Sequence, residues 1–441
     1  MRCFYCGQPH HVLPSFVGRT QNGFLHLSYP LKTQEDFRED ILAEIYHALG
    51  LNMHQPLGNL LALLNSEERW EAKQILWCYD RPTRMLEGYE DVARLHISFS
   101  GTLLKQLEDP AVRETFRDTV NVEDLLNRYR RSNIEFTGTG LYHPVYPLIP
   151  KSDWDAQTSW WIGLGRHLLG REHFQGFWPP EMGFCMEMIP MLKRYGYRYV
   201  LVDSWYIKPK RQMRWEELRY RPYLAHYDGE EIIVVPRDRE LSDAQESGLD
   251  PGWFQHELYE RTKCCDFPAL VTTWTDGDNG GWFRTTDIRG GFWGFFYHVI
   301  LDRYREGTLG FIPVHISEYL DRYPPSEEVD VYQGAWNTGQ HWGGDFTQWT
   351  GSLLQKRGLD EVRNASAYYQ IVKKKFDERQ QAVDSPEEVR HLIIKAYDHL
   401  LMAETSCNFY WGSKWVHRSF DNLEQTYHLL DTAMKFLAEK D

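Results

Sequence analysis

The chain has 441 residues, room for one large catalytic domain and a smaller one. Its 49 basic and 63 acidic side chains leave a formal net charge of −14, which speaks against an electrostatic surface for nucleic acid. Aromatic residues make up 15% of it, with 17 Trp, 26 Tyr and 22 Phe; a disordered chain is excluded, and a large core or a groove of rings that stack on sugars remains.

Residues 1–43 read as an extension. They contain Cys3-Phe4-Tyr5-Cys6 and His10-His11, a set that could bind zinc but matches no complete ligand spacing, so an ordinary extension outside the core competes with it. Residues 1–20 lack the apolar run of a signal peptide. No stretch approaches the roughly 20 apolar residues of a membrane span. Seven scattered cysteines form no disulfide framework, so a cytoplasmic setting is expected.

From 44 to 330 short apolar runs alternate with helical patterns. The expected strands are Ala48–Met53, Arg94–Phe99, Ile134–Phe136, Phe174–Trp178, Tyr199–Val202, Ile232–Val235, Ala269–Trp274 and Phe311–Val314. Helices are expected over Asp153–Leu169, Gly183–Tyr195 and Gly291–Tyr304. This alternation predicts parallel strands with crossover helices, and seven or eight strands in so short a span suit a barrel better than an open sheet. No Gly-x-Gly-x-x-Gly follows the first strand, as a dinucleotide-binding sheet would need.

Residues 331–441 change character. Ser385-Pro386-Glu387-Glu388 reads as a capping box. Val389, Leu392, Ile393, Ala396 and Leu400 follow one helical face, and Leu423, Tyr427, Leu430, Met434 and Leu437 follow another. With Asp360–Arg379 these predict a three-helix bundle. Ala403–Gly412 departs from that pattern, being polar and aromatic where a helix should simply end.

The residues after the strands carry the chemistry. They are His54-Gln55-Pro56, Gly138–Pro144 with His143, Trp178-Pro179-Pro180-Glu181, Asp203-Ser204-Trp205, and Asp276-Gly277-Asp278 followed by Trp282. In a parallel barrel all of them share the carboxyl-terminal face, where active sites sit. Two carboxylates on one rim fit glycoside cleavage, in which one attacks the anomeric carbon and the other protonates the leaving oxygen. Competing readings stay open: Glu181 as a helix first-turn acid, Asp276-Gly277-Asp278 as a polar turn or a faint calcium loop, Asp203 as a loop cap.

The ordered set His54-Gln55-Pro56, Gly138–Pro144, Trp178–Glu181, Asp276–Asp278 and Ser406–Trp411 resembles the five motifs of glycoside hydrolase family 57, over residues 46–412. The resemblance implies an α/β fold, an incomplete (β/α)7 TIM-like barrel followed by a helical domain, and a retaining mechanism on α-glucans with neither metal nor cofactor. It makes Glu181 the nucleophile and Asp276 the general acid/base. It makes His54, His143, Trp178, Asp278 and Trp411 substrate-binding residues, and Asp203, Trp205 and Trp282 join them as groove candidates. Trp274, Trp336 and Trp349 line subsites or belong to the core. The first motif often begins with His where this chain has Asn52, and Asp278 stands where many members carry Glu. Amylase-type hydrolysis of α-1,4-glucan is the expected activity. The alternatives are 4-α-glucanotransferase, branching enzyme, or a non-catalytic glucan-binding protein. Neither nucleic acid nor membrane is an expected partner.

Overall fold

The computed structural model describes residues 43–336, 346–379, 381 and 385–438. The Cys3/Cys6/His10/His11 set and nearly all of the expected extension lie outside the described residues. The described strands are β1 (Ile45–Met53), β2 (Leu95–Phe99), β3 (Glu135–Thr137), β4 (Gly176–Phe177), β5 (Tyr199–Asp203), β6 (Ile207–Pro209), β7 (Tyr223–Tyr227), β8 (Glu230–Arg237), β9 (Ala269–Asp276), β10 (Ile312–Pro313) and β11 (Val329–Val331).

β1 is the central strand, buried from Tyr46 to Met53, as expected of a parallel strand covered on both faces. β9 runs parallel along its full length, from Ile45↔Ala269 to Asn52↔Asp276. Its other edge is shared, with β10 beside Tyr46 and His47 and β2 beside Leu49–Met53. β3 then pairs with β2. A second sheet runs β4-β5-β8-β7, its last pair an antiparallel hairpin turned by Asp228 and Gly229, both at positive φ. The expected strand Ile232–Val235 is the centre of β8; its partner β7 and the β6–β11 pair escaped the sequence reading, because their alternation is too short to stand out from a loop.

The two sheets meet at single points. Gly138 joins β3 to β4, its N–H bonding the Gly176 carbonyl and its carbonyl taking the Trp178 N–H, both at 2.8 Å. At the far side Asp238 N donates to Thr272 O at 2.9 Å. The strands therefore do not form a closed ladder. β4 is only two residues long, and after Trp178 come Pro179 and Pro180, which carry no N–H to extend it. The chain is an α/β fold with a mostly helical C-terminal region, where Leu353–Arg379, Pro386–Ala403 and Ser413–Ala438 pack pairwise. Tyr369 and Tyr397 stack between two of these helices with ring centroids 3.9 Å apart. Ser385 holds the N-cap position, but its side chain makes no capping bond, so the expected capping box does not form.

One close approach ties the core to the loops above it. Gly50 lies in register with Trp274, and a Cβ built on Gly50 would fall 2.0 Å from the indole. Trp274 stacks on Trp178 at 4.9 Å, and Trp178 meets Trp336 edge-on at 5.6 Å. Gly50→Ala must therefore displace a ring stack. We expect it to lower stability by about 1–3 kcal/mol, read as a shifted denaturant midpoint at unchanged slope; an unshifted midpoint would show that the stack yields freely.

Candidate active site

A cavity of ≈ 440 Å³ opens at the carboxyl ends of the parallel strands and is lined by Glu181, Asp276, Asp278, His54 and His143 among others. Strands of both sheets and the helical region all contribute to its wall.

Glu181 follows β4 in a tight turn whose backbone is left-handed, with φ 56° at Glu181 and 52° at Met182. The diproline fixes the entry to this turn. Both carboxylate oxygens are held: Ser406 Oγ donates to Oε1 at 2.7 Å and Trp336 Nε1 to Oε2 at 2.7 Å. Trp336 also donates its backbone N–H to the Glu181 carbonyl at 2.8 Å, so the turn and the side chain are gripped by one residue. Burial pushes the Glu181 carboxyl up from the usual range, and the two donors pull against it.

Asp276 ends β9. Its oxygens accept from Asn52 Nδ2 at 2.8 Å and Asn279 Nδ2 at 2.9 Å. Asn52 is thus the cross-strand partner of Asp276 in both register and hydrogen bonding. Burial holds the Asp276 carboxyl well above its ordinary value, and the negative charges of Asp278, Glu246 and Glu181 add to this. Asp278 is buried beneath, accepting from Gln55 Nε2 at 3.1 Å and from the Tyr79 hydroxyl.

His54 and His143 lie face to face, ring centroids 3.7 Å apart and planes within 12°. Burial holds His54 down to about 3 and His143 well below the usual range, His54 itself adding to the effect on His143. Both rings are therefore neutral near pH 7. His54 Nε2 lies 3.2 Å from Cys407 Sγ, and His143 Nδ1 3.1 Å from Ser406 Oγ.

The remaining expected residues divide. Trp411 lines the cavity, 59% exposed, its ring edge-on to Tyr410. Trp178 is fully buried under the cavity, so the position after β4 points this indole into the core and leaves no face for a sugar. Asp203 is also buried, taking Trp205 N at 3.0 Å and Arg239 Nε at 2.8 Å, which is the loop-cap arrangement. Trp205 lies against the Arg239 guanidinium, and neither it nor Trp282 is among the cavity-lining residues. Trp274 and Trp349 are core, whereas Trp336 reaches the cavity. Ser406 and Asn279 were not singled out from sequence, although the polar break at Ala403–Gly412 marked where Ser406 lies. Among the described residues no three His, Cys, Asp or Glu side chains are grouped to hold a metal, and no helix is long and apolar enough to cross a membrane.

The family model described as Glycosyl hydrolase family 57 matches residues 31–292, more than half of the chain. An alpha-amylase of Pyrococcus furiosus is 30% identical over 204 residues, covering 45% of this chain and 28% of that protein. A 4-alpha-glucanotransferase of Thermococcus litoralis is 29% identical over 208 residues, again 45% and 28%. The chain thus matches less than a third of the length of these relatives. Among solved structures, a branching enzyme from Thermococcus kodakaraensis superposes with TM-score 0.66 at 14% identity, covering 90% of this chain and 92% of that one. The T. litoralis 4-alpha-glucanotransferase gives 0.59 at 21% identity, covering 87% and 60%. These likenesses are of fold.

Proposed function

Because the chain belongs to glycosyl hydrolase family 57, we propose that it is a retaining enzyme of α-1,4-glucans, with amylase-type hydrolysis as its reaction. The observation that carries this reading is the pair of buried carboxyl groups, Glu181 and Asp276, lining one cavity with different surroundings. Glu181 is stabilised as an anion by two donors; burial and the neighbouring carboxylates favour the protonated form of Asp276. Two carboxyl groups whose environments separate their pKa values are what a nucleophile and a general acid need.

In the first step Glu181 attacks the anomeric carbon while Asp276 gives its proton to the departing glycosidic oxygen. In the second, Asp276 takes a proton from the acceptor, which attacks the glycosyl–Glu181 ester and frees the carboxylate. The neutral rings of His54 and His143 and the carboxyl of Asp278 line the subsite around the bond to be cut, and Trp411 offers a stacking face at the mouth. In the same reading the strands of 44–330 are a distorted seven-strand barrel, and 331–441 is a three-helix domain that completes the cleft.

Relatives named as an amylase and as a glucanotransferase match this chain about equally well, so transfer to a sugar hydroxyl is the second reading. Incubation with maltoheptaose separates them. Only shorter products mean hydrolysis, longer ones mean transfer, and new α-1,6 linkages mean branching. Binding without turnover across pH and temperature would overturn catalysis altogether.

The acid assignment makes a pH prediction. Glu246 contributes negative charge that favours the protonated form of Asp276. Glu246→Gln removes that charge, lowers the pKa of Asp276, and so lets its proton go at lower pH. The alkaline limb of kcat/KM is expected to move to lower pH while the acidic limb stays. A fixed alkaline limb would mean that another group supplies the proton.

A further inference from the structure

One of the two residues that hold the carboxylate of the proposed nucleophile comes from far along the chain. Ser406 opens the short helix Ser406–Tyr410, just past the end of Pro386–Ala403, and is fully buried. It is fixed to the loop after β3 by its backbone, its N–H donating to the His143 carbonyl at 3.0 Å. An antiparallel bridge joins the neighbours Thr405 and Pro144. Its hydroxyl therefore has little freedom. Oγ stands 2.7 Å from Glu181 Oε1 and 3.1 Å from His143 Nδ1.

A serine hydroxyl has one proton to give. Glu181 as carboxylate can only accept, so that proton goes to Oε1. The contact with His143 is then a bond only if Nδ1 carries hydrogen and donates to Oγ. The network so assigns the His143 tautomer, Nδ1–H, with Nε2 unprotonated. The direct His143 Nδ1 to Glu181 Oε1 distance of 3.6 Å is too long for a hydrogen bond, so the serine is the link between ring and carboxylate.

We propose that Ser406 is a positioning residue for Glu181, the middle of a one-way hydrogen-bond chain from His143 Nδ1–H through Ser406 Oγ–H to Oε1. It rests on the reading of Glu181 as nucleophile. The chain acts in two ways. It holds the carboxylate at one rotation above a strained turn, and it favours the ionised form that attack requires. When the ester forms on Glu181 the charge at this carboxyl disappears, so the bond is strongest before attack and again as the free carboxylate returns. The other ionisable groups facing Glu181 are Cys407, Tyr410 and Asp276. His54, stacked on His143, and Arg237 line the same cavity. Burial keeps the Cys407 thiol and both imidazoles neutral, leaving Ser406 and Trp336 as the donors that set the Glu181 carboxylate.

The test is Ser406→Ala beside Ser406→Cys, which fills the same space with a weak donor, and Ser406→Thr, which keeps the hydroxyl. Loss of a hydrogen bond to a charged group predicts a kcat on maltoheptaose lower by roughly tenfold or more in Ser406→Ala, with KM nearly unchanged. The acidic limb of the pH profile should move to higher pH, because an unsupported Glu181 ionises later. Ser406→Cys should fall between, and Ser406→Thr should recover the wild-type limb. A 13C titration of the Glu181 carboxyl in wild type and Ser406→Ala reads the same interaction without turnover. An upward move supports the proposal even if no glucan is cleaved, in which case only the hydrolase reading fails. An unmoved carboxyl, or an active enzyme whose kcat and acidic limb ignore Ser406→Ala, overturns it.

Discussion

Glu181→Gln is expected to leave a folded protein whose turnover of maltoheptaose falls by roughly 10⁴-fold or more. An amide has the shape of the carboxylate but is too weak a nucleophile to form the glycosyl ester at the anomeric carbon. The pocket can house it. With the amide oxygen toward Trp336 Nε1, the amide nitrogen meets Ser406 Oγ, which can turn to accept. Burial already disfavours the charge on Glu181, so removing it should not lower the denaturant midpoint. Steady-state kinetics and an unfolding curve on the same preparation check both halves. Near-wild-type turnover by the folded variant would withdraw the nucleophile assignment.

Asp276→Asn should separate substrates by their leaving groups. Loss of a general acid costs about 10²–10⁴-fold where the leaving oxygen is a sugar hydroxyl, and far less where an activated aryl oxide departs unaided. Structure again allows the change. Asn52 Oδ1 is buried without a hydrogen-bond partner, and turning the Asn52 amide would bring that oxygen to the new NH₂. The measurement is kcat/KM for a maltooligosaccharide and for an aryl glycoside bearing a nitrophenol. Equal losses on both would show that Asp276 serves binding or folding and gives no proton.

Much of this site was legible because its parts stand where strands end. All eight expected strands overlap strands that have a parallel partner, and the loops after β1, β3, β4 and β9 do meet at one cavity. Periodicity told which segments are strands; it could not tell whether a residue one step past a strand points up or inward. Trp178, which the family resemblance made a substrate-binding residue, lies buried on Trp274. Asp203 shows the same ambiguity, since a carboxylate after a strand serves equally as a cap. Pairing across long separations was also hidden. Nothing in the local pattern around 406 announces a bond to residue 181, or around 52 a bond to 276. The expected barrel was an incomplete one, and the strands form no closed ladder; one of the two thin junctions lies beside the diproline, where β4 is two residues long.

The left-handed turn at Glu181 bears on what kind of protein this is. A non-glycine residue in that backbone region costs about 1–2 kcal/mol, and His143, beside Glu181, has φ 54° as well. Glycine or asparagine at 181 would relieve the backbone and remove a buried charge in a single step. A chain under selection for folding alone, or for gripping a polymer passively, gains by making that exchange. Glutamate at 181 thus carries both a backbone cost and a burial cost, the combination that the nucleophile role proposed for it would account for and a purely structural role would not.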